Sequence, residues 1–200
     1  NEIIVLGGHG DSINDTDHSA ASPAPGADDN AAGIAVLSDI IRIMVDQNYK
    51  PKHTIQFIAY AAEEVGIQGS YDLVRVYRDK QIKVIGVLQL DGVNYNGSPN
   101  YDMALISDYT NKEQNMFLAS LIDTYLKLPW TWDQCNYGCS DHSAWNYEGY
   151  RASFPVEALV AEENPYIHSE QDTFDKSNFD SVHATKFTKL AIAYLLELDQ

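Results

Sequence analysis

Residues 55–66, I-Q-F-I-A-Y-A-A-E-E-V-G, constrain this chain more than any other stretch. The opening half is a near-continuous apolar run, the composition of a strand buried on both faces. It stops at two adjacent carboxylates, Glu63 and Glu64, followed by Gly66. In an open α/β sheet, ligands bind beyond the carboxyl ends of the strands, so both acids fall where chemistry is expected. Neighbouring strand residues face opposite ways, and both acids reach one site only if the backbone is already turning, which Gly66 permits. Taken alone, the pair is equally well explained by a solvated loop.

The same grammar recurs along the chain. An apolar run at 2–6 enters Gly7-Gly8-His9-Gly10-Asp11, and another at 82–90 ends in Asp91. Residues 13–27 are rich in Ser, Ala, Asp, Asn and Pro and read as a loop. It leads into Asp28-Asp29-Asn30, one of which caps a helix whose apolar face, Ile34, Leu37, Ile41, Met44 and Val45, runs to about 48 before Pro51. Further helices are expected at 69–80, 111–126, 140–147 (capped by Ser140 or Asp141) and 179–198, and further strands at 101–107, 130–132 and 152–159. Residues 162–174 form an irregular loop holding His168. Strands alternating with helices imply an α/β fold: a mostly parallel or mixed sheet covered by helices on both faces.

Two hundred residues suit one domain spanning 1–200. Thirteen Lys and Arg against 29 Asp and Glu give 13 − 29 = −16, a balance that excludes nucleic acid and anionic membrane surfaces as partners. No apolar run approaches the ~20 residues of a bilayer span. Cys135 and Cys139 are spaced C-x-x-x-C. A thiol pair and half a zinc site are the rival readings, but no second Cys or His pair follows at matching spacing; a disulfide closing a tight loop, and an oxidising compartment, are expected.

Side by side, the loop residues at strand ends are His9, Asp29, Glu63, Glu64, Asp91 and His168. Two imidazoles and four carboxylates match the ligand set of a co-catalytic zinc pair: one His and one terminal carboxylate per metal plus one bridging carboxylate. One acid is left over, which is the general base such a site requires. Of the other histidines, His18, His53 and His183 read as structural or solvated, and His142 as a possible outer partner of the site.

His9-Gly10-Asp11, Gly26-Ala27-Asp28-Asp29, 61–66 (A-A-E-E-V-G), Leu88-Gln89-Leu90-Asp91 and Pro165-Tyr166-Ile167-His168 together resemble the ordered motifs of the secreted di-zinc aminopeptidases, close to the bacterial leucyl enzyme. The resemblance implies two zinc ions per chain, with His9 and Asp91 on one, Glu64 and His168 on the other, and Asp29 bridging. Glu63 becomes the proton carrier. Asp11 is expected to accept from the second ring nitrogen of His9. Tyr137, on the Cys135–Cys139 loop, is expected to bind the carbonyl oxygen. Val156, Val160 and Ile167, with Tyr137, are expected around the substrate side chain, in a pocket looser than that of the leucyl enzyme. A strained peptide after Asp29 belongs to the same resemblance. So do a secreted, monomeric protein and peptide substrates with free, apolar N-terminal residues. Relatives carry a further helix and strands ahead of the point where this chain starts, without which the strand at 2–6 becomes an exposed edge.

Two rivals are kept. A carboxypeptidase, deacylase or glutaminyl cyclase on a related scaffold is one; enzymes of this kind that recognise a substrate carboxylate need a placed Arg, and only Arg42, Arg75, Arg78 and Arg151 are available. A non-catalytic binding module is the other, though such a module would be expected to lose ligands.

Overall fold

Alternation decides which way each strand faces. In β1 (Ile3–His9), Ile4 and Leu6 join one apolar cluster and Val5 the opposite one, as a period of two requires. The computed structural model describes residues 2–200. β1 pairs in parallel with β2 (Thr54–Tyr60) and β3 (Val84–Gln89), and β6 (Ala152–Ser153) extends β3, giving the order β2-β1-β3-β6. A second sheet places β4 (Met103–Ile106) between β5 (Trp130–Asp133), which is parallel, and β7 (Pro155–Val156), which is antiparallel.

Helices cover both faces of the larger sheet. On the Ile4–Leu6 side lie α1 (Gly33–Asp46), α3 (Lys112–Leu121) and α5 (Val182–Leu198), through Leu37, Ile40, Leu118, Phe187 and Tyr194. On the Val5 side lie α2 (Gln68–Asp79) and α4 (His142–Tyr147), through Val74, Tyr77 and Trp145. Burying each such side chain contributes about 1.5–3 kcal/mol. Trp145 keeps its polar edge satisfied by donating to the Tyr60 hydroxyl at 2.8 Å, with Tyr77 edge-on at 5.0 Å.

The α/β reading holds, with three corrections. There are two sheets, not one. The strand expected at 152–159 is broken: Ala152 and Ser153 pair with β3, then Pro155, which has no N–H for a ladder, turns the chain onto β4. β1 sits inside the larger sheet, whose edges are β2 and β6. Of the three candidate caps before α1, Asn30 is the one whose side chain accepts from Gly33 N–H, at 3.0 Å. Helix limits shift as well. α3 widens into a π turn over Ile122–Leu126, and α5 begins only at Val182, after exposed Phe179 at φ 56°. Ser140 and Asp141 do not cap α4 with their side chains.

Parallel pairing brings the C-terminal ends of β1, β2 and β3 to one edge. After β2 the backbone turns at Ala62 (φ 59°), before the two acids, and again at Gly66 (φ 102°) and Ile67 (φ 58°). α2 then packs down on the turn so closely that a Cβ on Gly69 would lie 2.1 Å from the Ala61 carbonyl oxygen. Ala is the better helix former by about 0.5–1 kcal/mol, but overpacking against backbone costs about 1–3 kcal/mol. Gly69→Ala is therefore expected to lower unfolding free energy by about 1–2 kcal/mol. Urea denaturation checks this, and a variant as stable as the parent would refute the tight contact.

Candidate metal centre

His9 ends β1, is 1% exposed, and turns Nε2 toward Asp29 Oδ1 (3.0 Å) and Asp91 Oδ1 (3.2 Å). His168, at φ 56° in its loop, places Nε2 3.0 Å from the other oxygen of Asp29 and 3.2 Å from Glu64 Oε2. Asp29 thus stands between two imidazoles, one oxygen for each. Two donor sets result, His9–Asp29–Asp91 and Asp29–Glu64–His168, each with its ligand atoms within 4.8 Å of one another. Glu63 belongs to neither.

Charge crowding governs these groups. Burial opposes the charged form of His9, yet Asp91 and Asp29 hold it far above the usual imidazole range. His168 is pushed up to about 11 by its hydrogen bonds to Asp29 and Glu64. Burial opposes ionisation of Asp29, but the bonds from His168 and His9 win and draw it down to about 2. Burial first, then Asp91, pushes Glu63 up to about 9. Glu64 Oε1 is buried and has no hydrogen-bond partner among the described residues. A buried acceptor without a donor in a crowd of acids fits a cation better than any side chain nearby.

The supports of the centre come from distant segments. Asp11 is corrected: Nδ1 of His9 meets its backbone oxygen at 3.0 Å, while its carboxylate, 3.8 Å away, accepts the backbone N–H groups of Glu63 and Glu64, each at 3.2 Å. It therefore orients the two-acid turn as well as the imidazole. Asp91 accepts from the Ser140 hydroxyl at 2.6 Å; Gln89 donates to Ser140 and to Asp141, which also takes the Ser70 hydroxyl. Asp172 accepts the backbone N–H groups of Asp28 and Asp29 at 3.0–3.2 Å, and Asn164 donates to both Asp28 and Asp172. The Asp29–Asn30 peptide is cis. The sequence marks Ser140 and Asp141 as helix caps and as the run that follows the Cys loop, but not as the partners of Asp91 and Gln89. Asp172, four residues after His168, stood among several nearby acids, Glu170 and Asp175 included, with no pattern to distinguish it.

The two donor sets open on a cavity of about 390 Å³ lined by Asp29, Glu63, Glu64, Asp91 and His168. Tyr137, Val156, Val160 and Ile167 line it too, as does Glu163, which was not singled out from the sequence. A disulfide joins Cys135 to Cys139, and their loop presents Tyr137, 63% exposed; Asp108 accepts the Cys135 and Asn136 N–H groups. His142 is not at the centre: it is fully buried, stacked on Phe154, and held by burial at about 3. His53 meets Asp199, and His183 donates to the Glu157 carbonyl. No helix among the described residues is long and apolar enough to cross a membrane.

Residues 1–193 match the profile of peptidase family M28. A probable aminopeptidase of Saccharomyces cerevisiae is 34% identical over 98% of this chain and 53% of its own length. The LapA aminopeptidase of Legionella pneumophila superposes over 100% of this chain and 52% of its own, with 36% identity and a TM-score of 0.88. A zinc aminopeptidase from Bacillus subtilis shares the fold at a TM-score of 0.81 and 21% identity, over 98% of this chain and 46% of its own. The chain spans about half the length of these relatives.

The support of Asp29 is directly testable. Asp172 is 1% exposed, and removing its carboxylate leaves buried backbone donors unpaired, each costing about 1–3 kcal/mol. Asp172→Ala should lower unfolding free energy by about 3 kcal/mol, and Asp172→Asn, which keeps one acceptor oxygen, by less. Urea unfolding of both variants measures it; a loss of under about 0.5 kcal/mol for Asp172→Ala would contradict this account.

Proposed function

Because the chain belongs to peptidase family M28, we propose that it carries the catalytic centre of a secreted, monomeric two-zinc aminopeptidase that removes unblocked N-terminal residues from peptides. The observation that carries the reading is Asp29, whose two oxygens face two separate imidazoles while Glu63 stands outside both donor sets. His9 and Asp91 would hold one ion, Glu64 and His168 the other, and Asp29 would be shared. The unpartnered Glu64 Oε1 supports that fit. When bound, zinc supplies Lewis acidity toward the scissile carbonyl, acidifies the attacking water and offsets the acids that push Glu63 up.

The protein groups divide the remaining work. Glu63 takes the proton from the attacking water and delivers it to the departing amine, so that one carboxyl serves both halves of the reaction. Tyr137 donates its hydroxyl to the carbonyl oxygen as negative charge develops there. The acidic lining favours a substrate ammonium, which is why the terminus must be free. Val156, Val160 and Ile167 offer an apolar wall to the terminal side chain. The Cys135–Cys139 disulfide suits an oxidising compartment outside the cell.

One observation weighs against the carboxylate-binding rivals. Among the described residues no Arg or Lys lines the cavity; Arg42, Arg75 and Arg78 are engaged with surface acids. Free peptides should therefore be cleaved and their N-acetylated forms rejected. Glu63→Ala is expected to retain two zinc ions per chain by metal analysis while kcat falls about 10²–10⁴-fold. Full activity in that variant, or one ion in the parent, would overturn the mechanism.

A further inference from the structure

We propose that Glu163 makes the cavity selective for a cationic N-terminal side chain, that of lysine or arginine; the proposal rests on the aminopeptidase reading above. Six acids line the cavity, and five are otherwise engaged. Asp29, Glu64 and Asp91 belong to the donor sets, and Glu63 has the proton to carry. Glu157 is 3% exposed and holds the Tyr95 N–H at 2.5 Å. Glu163 remains. It follows the short turn Val160–Glu162, on the same segment as the apolar wall residue Val160, and is the exposed acid among the six. It shares the cavity lining with Tyr137 and with Val156, Val160 and Ile167.

The wall and the acid together describe a shape. Val156, Val160 and Ile167 present hydrocarbon, and the Glu163 carboxylate belongs to the same lining, to which no Arg or Lys contributes among the described residues. Lysine and arginine have the complementary form, an aliphatic stem bearing a charged head. A purely apolar side chain would leave Glu163 facing hydrocarbon and stripped of part of its water, which disfavours that substrate. The same negative field would repel terminal Asp and Glu.

Kinetics on the zinc-loaded protein with lysyl, norleucyl and leucyl p-nitroanilides test the proposal, because norleucine is lysine without its ammonium. The parent should favour the lysyl over the norleucyl compound in kcat/KM by about tenfold or more, the size of one charge-assisted hydrogen bond. Glu163→Gln should cut that ratio by about tenfold, and Glu163→Lys should reverse it. Zinc content and the unfolding midpoint of each variant establish that it is folded. A parent that favours norleucine, or a ratio untouched by Glu163→Gln, overturns the proposal. So does an equal loss on both compounds, which would make Glu163 a holder of the α-ammonium. If the zinc-loaded parent hydrolyses none of the three, the aminopeptidase reading itself fails and the proposal falls with it; leucyl turnover without cationic preference removes the proposal alone.

Discussion

The molecule is arranged around one carboxylate shared by two imidazoles. Asp29, Glu64 and Asp91 gather with Glu63 at one sheet edge, where two like charges 4 Å apart repel by about 4 kcal/mol at the effective dielectric of a protein surface. Such a cluster persists only if something positive stands among its members and if each member is held in place. The two imidazoles meet the first condition, His9 pairing with Asp91 and His168 with Glu64, with Asp29 between. The second is met from outside: Ser140 on Asp91, Asp172 on the backbone of Asp29, and Asp11 on the backbone of Glu63 and Glu64.

What could be read from the sequence was whatever depends on local pattern. Apolar runs that stop at an acid or a histidine marked the ends of β1, β2 and β3, and parallel pairing alone then brings His9, Glu63, Glu64 and Asp91 to one edge. Spacing marked where α1 runs but only part of its buried face: Leu37 is buried as expected, whereas Ile41 and Val45 are exposed and Val36 and Ile40 are buried with Leu37 instead. Counting ligands against the needs of two metals left one acid over, and the family resemblance named it as Glu63.

What could not be read depends on contacts between distant segments. The Asp28–Asp172 bond spans 144 positions, and Ser140 meets Asp91 across 49. Neither pairing has a periodic signature, so Ser140 looked like a helix cap and Asp172 like a loop acid. Asp11 was misjudged for a related reason. A carboxylate two residues from an imidazole is the obvious partner for its second nitrogen, but the backbone oxygen of Asp11 takes that place and frees the carboxylate for the turn after β2. The split of the last strand has the same origin: Ala152 and Pro155 are near neighbours in the chain, yet they join different sheets.

The two donor sets are not equivalent, and the difference gives the centre a direction. The His9 ring is enclosed by the sheet, with 1% of its side chain accessible, whereas 41% of the His168 side chain is accessible. His168 lines the cavity and His9 does not. His9 sits on a strand fixed on both sides by hydrogen-bonded neighbours, so its set is the rigid one. His168 belongs to a loop, whose carbonyl at His168 accepts the Asp15 N–H at 3.0 Å. Glu63 lines the same cavity, where it can follow a reacting group without leaving its place in the fold.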